Sequence, residues 1–343
     1  MLSRRTRTQV PALVLALAAA LAGCAPAGEE GAAGDLTVPV GAPTYDVAAP
    51  AWAVGRSLHV GDVELDVRPA PEAFVVTTAG VYYLARGTLW FTDGADPVAV
   101  AEVDTDRLAL STDGRHLGLL DRVHGPTDAA GVAAALAVVL DVTTGKEVLR
   151  TRPARPTVDV AALYAAQPPT FLGFDEDAAY VADPLVDGVT RLPLDGGPGG
   201  PAPDDLRVDR SLGSEVDVVR TTAGHLRLAR DGERPDARAL LSPAGDLIHP
   251  LGAATPPRAY DAASGVPVRF DPGERWFQLG GWIDQDTYYG AASADGSSAG
   301  PSGRTVVVAC DVRAPRCRPV SAEFQLPTGP ELVFGTGSPA TAR

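Results

Sequence analysis

The sequence predicts an all-β chain, a β-propeller of four-stranded antiparallel blades, and three observations point there. Short β-branched and aromatic runs alternate with turn residues from Trp52 onward. One stretch recurs: residues 75–86 and 219–230 align at an offset of 144 with eight of twelve residues identical, including Thr-Thr-Ala-Gly and the closing Leu-Ala-Arg. The chain also carries 37 Gly and 31 Pro in 343 residues, which argues against long uninterrupted helices. A four-stranded unit of ~40 to 45 residues repeated over roughly 290 residues gives about seven blades. Six remain allowed, because residues 124–136 and 196–213 read as insertions.

The strands follow in order. Residues 74–77 lead through Ala79-Gly80 into 81–85, Arg86-Gly87 turns into 88–92, Asp93-Gly94 turns again, and 98–103 supplies a fourth run. Tight turns between such runs make an antiparallel meander. A second unit spans 108–121 and 137–149, with the turn Ser111-Thr112-Asp113-Gly114 inside it and Asp141-Val142-Thr143-Thr144-Gly145 at its outer hairpin. A third is visible at 171–174, 179–181 and 189–194, and an offset of 144 corresponds to three or four units.

The N-terminus reads as an address. Arg4, Arg5 and Arg7 precede an apolar run from residue 10 to 21 that is too short to span a bilayer, the layout of a cleaved export signal. The run ends in Leu21-Ala22-Gly23-Cys24, which resembles a bacterial lipobox. That resemblance implies cleavage before Cys24 and acylation of its thiol. Two or more acyl chains turn marginal membrane binding into stable anchoring. The expected organisation is a lipoprotein signal at 1–23, the lipidated Cys24 with a flexible tether at 24–50, the propeller at 51–335 and a tail at 336–343. Residues 1–23 hold three arginines and no acid, so their loss takes the formal charge from −14 to −17. Such a polyanion is repelled by nucleic acid and by anionic lipid headgroups, which excludes a nucleic-acid binder and leaves anchoring to the acyl chains.

With Cys24 assigned to lipid, Cys310 and Cys317 remain. An even remainder in an exported chain suggests a disulfide. Cys310 ends a β-branched run and Cys317 opens the returning one, so the pair fits across a hairpin. A redox pair would sit closer, as Cys-x-x-Cys, and a zinc site lacks further ligands nearby.

The turn Ser111-Thr112-Asp113-Gly114-Arg115-His116-Leu117 matches at every position the inner hairpin of the TolB-like and WD40-like propellers, and the units resemble their blades. The wording Trp90-Phe91-Thr92-Asp93-Gly94, the Asp141 to Gly145 turn and the late cysteine hairpin are similar to lipid-anchored propellers of actinobacteria. The resemblance covers residues 50–335 and is sharpest at 74–150. The Trp-Asp dipeptide that names the WD40 group is absent. The resemblance implies binding through loops on a strand scaffold.

No catalytic constellation is readable. His59, His116, His124, His225 and His249 form no metal-ligand spacing, and no nucleophile elbow or phosphate loop is present. Residues 111–114 lack the second glycine and the tryptophan of a sialidase Asp-box. Asp175-Glu176-Asp177 and Asp284-Gln285-Asp286 carry hard oxygen ligands suited to calcium, but acids are ordinary in hairpin turns. Arg supplies all but one of the 29 basic residues, a bias expected of a GC-rich genome, so it does not mark an anion site. Trp276, Trp282, Tyr288 and Tyr289 form the densest aromatic group and are the candidate ligand-binding residues. The expectation is a monomeric, non-catalytic module without cofactor or metal, lipid-anchored on the outer face of the cytoplasmic membrane, that binds a protein or glycan. The alternatives are an extracytoplasmic hydrolase or quinoprotein-type enzyme, which would need acids such as Asp104, Asp106, Asp175 and Asp284 to converge, and an accessory regulator of an envelope sensor kinase.

Overall fold

The structure is a computed structural model that describes residues 35–186, 188–203, 214–230, 232–242, 245–250, 259–284, 286–297, 300–312, 314, 316–326 and 332–335. Cys24, the signal segment and the tail at 336–343 lie outside the described residues. The described residues all belong to the unit that begins at Asp35.

Six antiparallel sheets succeed one another along the chain. The first holds β1 (Ala51–Val54), β2 (Ser57–Val60) and β3 (Val63–Asp66); the second holds β4 (Ala73–Thr77), β5 (Gly80–Ala85), β6 (Thr88–Thr92) and β7 (Val98–Glu102). The third contains β8 (Leu108–Leu110), β9 (His116–Asp121), β10 (Leu136–Asp141) and β11 (Lys146–Arg150). A short helix α1 (Val160–Ala166) leads to the fourth, with β12 (Thr170–Phe174), β13 (Ala178–Ala182), β14 (Val189–Pro193) and β15 (Gly200–Pro201). The fifth is larger: β16 (Ser214–Arg220), β17 (Leu226–Leu228), β18 (Ala237–Leu241), β19 (Leu247–Pro250), β20 (Ala259–Asp261) and β21 (Pro267–Val268), with β16 paired to both β17 and β18. The sixth joins β22 (Trp276–Trp282), β23 (Thr287–Ser297), β24 (Gly300–Asp311) and β25 (Arg318–Pro319), and β26 (Phe324–Leu326) pairs with the far end of β24. The last strand, β27 (Leu332–Phe334), returns to the first sheet and pairs with β1, placing Phe334 opposite Trp52. A ring closed by both ends of the chain is a propeller.

The blade count is six, the smaller of the two that the length allowed. Loop residues 122–135, the crossing at 151–169 and the long β23–β24 hairpin take up the chain that a seventh blade would need. The recurrent stretches at 75–86 and 219–230 fall in the second and fifth sheets, three apart.

Packing follows from blade geometry. A middle strand has a neighbouring sheet on each face, so β5 and β10 are buried at every position and read as continuous apolar runs rather than alternating ones. In the second sheet Phe74, Val76, Val81 and Tyr83 pack toward the first, while Val75, Tyr82 and Leu84 pack with Leu117, Leu119 and Val138 of the third. That two-sided partition is the period of a strand.

The Ser-x-Asp-Gly-Arg hairpin has a mechanical role. The Ser111 hydroxyl donates to Asp113 at 2.5 Å and accepts the backbone N–H of His116 at 2.8 Å, while Gly114 takes φ +69°. Arg115 then reaches across to Asp141, Nη2 to Oδ2 at 2.8 Å. Burial of Asp141 opposes its ionisation, but hydrogen bonds from Thr143, Arg115 and Thr144 outweigh it and hold the carboxyl at about 2. The two motifs of this unit are thus one clasp between its inner and outer hairpins.

Cys310 and Cys317 are disulfide-bonded across the turn that joins β24 to β25. Closing so short a loop stabilises by roughly 2 to 3 kcal/mol in the chain-entropy model. The Cys310→Ser, Cys317→Ser double variant is therefore expected to lose that much unfolding free energy; urea titration with and without reductant checks it, and an unchanged midpoint would remove the stabilising role.

Of the tether expected over 24–50, the described part, 35–50, is not free but docked on the blades. Leu36 N–H donates to Glu147 at 3.0 Å, Val38 N–H to the Gly145 carbonyl at 2.8 Å and Gly41 N–H to the Ala79 carbonyl at 2.9 Å. Tyr82 hydroxyl donates to the Pro39 carbonyl at 2.6 Å, and Val38 is buried with the core of the second and third sheets. The apolar residues Leu36, Val38 and Tyr45 are the physical reason: exposing them in a free linker is less favourable than laying them on the blades. This lead-in crosses the third, second and first blades in turn before entering β1.

Candidate functional site

Successive strands of a blade are antiparallel, so its connections alternate between the two ends of the sheet. One end carries the turns between first and second and between third and fourth strands, together with the lead-in; it is the lead-in face. The other carries the turns between second and third strands and the crossings from blade to blade; it is the crossover face.

The crossover face is built up at one corner. In the first and second blades the second-to-third turn is two residues, Gly55-Arg56 between β1 and β2 and Arg86-Gly87 between β5 and β6. In the third blade the same position holds residues 122–135, and the next crossing adds 151–169 with α1. Asp159 caps α1 by accepting the Ala162 N–H at 2.9 Å, and Pro168-Pro169 follow its end.

Two buried carboxylates hold this corner. Asp128, 4% exposed, accepts backbone N–H groups from Ala130 at 2.8 Å and Val132 at 2.9 Å, and its other oxygen takes the N–H of Val160 at 2.9 Å. Those bonds lock the loop to the start of α1 and hold the Asp128 carboxyl below the usual carboxylate range. At the base, Asp121 accepts from the N–H groups of Val123 and His124, pairs with His124 Nδ1 at 3.0 Å and receives Arg150 Nη1 at 3.0 Å. Arg150 also forks onto Glu147 at 2.8 Å, the acid that holds Leu36. A nearly buried chain of charge therefore runs along the outer strand of the third blade, from the lead-in to exposed His124.

Beside it, Arg122 donates to Asp106 at 3.3 Å and to the Pro169 carbonyl at 3.4 Å, and its buried Nε has no partner. The Tyr164 hydroxyl accepts the Ala135 N–H at 3.0 Å and donates toward the Asp183 carboxylate at 3.3 Å. Burial raises the Asp183 carboxyl above its ordinary range, against hydrogen bonds from Leu185 and Tyr164 that pull it down; burial also pushes Tyr164 up to about 12. The corner thus presents a guanidinium, a phenol, an imidazole and a carboxyl from three different loops. It can donate and accept hydrogen bonds to a polar ligand from a rigid base.

The residues singled out in the sequence are placed elsewhere. Trp282, Tyr288 and Tyr289 are 1%, 1% and 0% exposed. Trp282 lies opposite Tyr288 in the register with ring centroids 5.2 Å apart, both packed with Phe277 and Val308 against Leu247 and Phe270, between the fifth and sixth blades. Tyr289 faces the first blade with Trp52 and Phe334, and half-buried Trp276 sits at the other end of β22. The aromatic group therefore packs sheet on sheet and offers no common surface to a ligand. Of the four acids, Asp104 and Asp106 lie in a blade crossing, whereas Asp175 and Asp284 lie in first-to-second turns at the opposite end of the sheets, so they do not converge. Asp175 is occupied by the Tyr180 hydroxyl and two backbone N–H groups. Among the described residues no three His, Cys, Asp or Glu side chains are grouped as metal ligands.

No protein-family model matches the chain, nor does any curated protein. Among solved structures it is similar to the dihydro-heme d1 dehydrogenase NirN in complex with DHE, at 14% identity over 86% of this chain and 68% of that one, TM-score 0.41. It is similar to a protein assigned as TolB from Agrobacterium tumefaciens, at 12% identity over 81% and 89%, TM-score 0.36. It is also similar to Kluyveromyces lactis Hsv2, at 12% identity over 68% and 71%, TM-score 0.35.

Proposed function

We propose that this chain is a lipid-anchored, extracytoplasmic propeller that binds a protein or glycan through the built-up corner of its crossover face and performs no chemistry of its own. The observation that carries the reading is the contrast between the two-residue turns of the first two blades and the loops at 122–135 and 151–169, which Asp128 fixes in place. Loops on a rigid scaffold are where binding residues concentrate, and a loop ordered in advance loses little entropy when a ligand arrives. The lipobox at Leu21 to Cys24 supports the address, and acyl chains on Cys24 supply the membrane affinity that an acidic chain lacks.

Two measurements test this. Cys24→Ala is expected to move the protein from the membrane to the soluble fraction, and unchanged retention would sink the lipid anchor. Replacing residues 124–133 by an Asn-Gly turn is expected to abolish capture of whatever the intact chain retains from cell envelopes; retention of the same species would move the ligand site off this corner.

A second reading, a hydrolase working with loop carboxylates, has one observation in its favour: Asp183 is held above the ordinary carboxylate range beside Tyr164. Hydrolysis of an envelope glycan or peptide that Asp183→Asn abolishes would select it.

A further inference from the structure

A second, separate recess lies on the lead-in face, at the seam where the ring closes. It encloses about 460 Å³ between the first and sixth blades. That is within the range of pockets that hold small molecules or side chains, roughly 300 to 1,000 Å³. Its walls come from distant parts of the chain: the end of the lead-in, β1, the β2–β3 turn, the β22–β23 turn, and β25 with the residue after it. Trp52 is buried and Ile283 and Val320 are half-buried, so they form the apolar depth. Asp46, Asp62 and Arg318 are exposed, so they stand at the mouth.

Among the described residues the charges at the mouth are not used up by internal ion pairs. Asp46 spends one oxygen on the Ala48 N–H at 3.0 Å, and no ion pair joins Asp46, Asp62 or Arg318 to another described residue. An apolar depth with two carboxylates and one guanidinium at its mouth matches an extended peptide with a basic side chain next to an apolar one. The cation meets Asp46 and Asp62, the apolar group enters against Trp52, Ile283 and Val320, and a backbone carbonyl accepts from Arg318. The long-range field agrees, since a chain of net charge −14 draws cations toward its clefts.

We propose that this seam recess is a binding site for a basic, apolar-flanked peptide segment, distinct from the crossover corner and independent of the reading given to it. The test uses the mature chain and two probes, N-acetyl-Leu-Lys-Leu-amide and N-acetyl-Leu-Glu-Leu-amide, titrated by calorimetry at low salt. The lysine probe is expected to saturate with at least tenfold higher affinity than the glutamate probe. The Asp46→Asn, Asp62→Asn double variant is expected to lose three- to tenfold of that affinity, and Asn at 46 can still accept the Ala48 N–H. Ala49→Phe, which places a ring in the recess, is expected to abolish binding; where that variant fails to unfold cooperatively, Val320→Lys serves in its place. Equal affinity for both probes, absence of saturation, or binding indifferent to the carboxylates would each overturn the proposal. Replacing the 124–133 loop should leave this binding unchanged, which separates the two sites.

Discussion

Truncation of the chain before Leu332 is expected to abolish cooperative folding, although only a few described residues of the propeller are removed. β27 is the strand that closes the ring: Leu332, Val333 and Phe334 pair with Val54, Ala53 and Trp52. Its loss leaves β1 with an unpaired inner edge and opens the packing between the first and sixth blades. The Phe334 ring meets Tyr289 at a centroid distance of 5.9 Å, and it occupies the space above Gly280, where a Cβ would lie 2.4 Å from it. A small net stability of about 5 to 15 kcal/mol cannot absorb both an unsatisfied strand edge and an emptied interface. The graded variant Phe334→Ala is expected to cost about 2 to 3 kcal/mol, below the usual range for a fully buried Phe because this ring is half-buried. Thermal unfolding with limited proteolysis reads both; a truncated chain that still melts in one sharp transition would show that β27 is dispensable.

Acidification between pH 6.5 and pH 4 is expected to destabilise the protein chiefly through one fully buried imidazole, His249. It is 2% exposed and ringed edge-on by Phe270, Trp282 and Tyr288 at centroid distances of 6.2, 5.9 and 4.7 Å. Its Nε2 has no hydrogen-bond partner, and burial lowers the group from 6.5 to about 4. Across that window the unfolded chain binds a proton that the folded chain refuses, so stability falls as pH falls and is fully present only above the unfolded value. The difference amounts to about 3 kcal/mol at most, from ~1.4 kcal/mol per pH unit. His249→Leu should flatten this segment of the profile and raise stability at pH 4.5 relative to the parent, because it removes both the titration and an unpaired buried nitrogen. The two profiles are compared by urea titration at pH 7.5 and 4.5. Asp141, held at about 2, titrates below this window, while Asp183, raised by burial, and His59 and His116, lowered by it, are common to parent and variant and cancel in the comparison. Parallel loss in parent and variant would assign the acid sensitivity elsewhere.

Much of the blade plan was legible in the sequence because its signals are local. Thr-Thr-Ala-Gly and Ser-x-Asp-Gly mark hairpins through hydroxyl and carboxylate bonds to nearby backbone, as with Thr77 and Ser111. The disulfide was legible for the same reason, since both cysteines flank one turn. The lead-in was misread because Ala, Gly and Pro suggest a linker, while a few apolar residues, Leu36, Val38 and Tyr45, suffice to dock it. The aromatic group was misread because composition does not say which face of a strand is covered. In β23 adjacent Tyr288 and Tyr289 point to opposite faces, and both faces are packed. The crossover corner was not legible at all: Asp121 meets Arg150, Arg122 meets Asp106 and Tyr164 meets Asp183 only after four loops have been brought together. The one local sign was Asp159 before Val160-Ala161-Ala162-Leu163, a helix cap followed by good helix formers.

The docked lead-in changes how the protein would carry load. Tension applied ahead of Asp35 meets the contacts in series: first Leu36 on Glu147, then Val38 on Gly145, then Gly41 on Ala79. Each can open alone, lengthening the chain by a few residues while the blades stay intact. Only after the last has gone, and buried Tyr45 has left the core of the first and second blades, does force reach β1, which is held between β27 and β2 and must be sheared along both ladders at once. The segment therefore acts as a shock absorber in front of the ring closure, yielding stepwise where the closure would fail all at once.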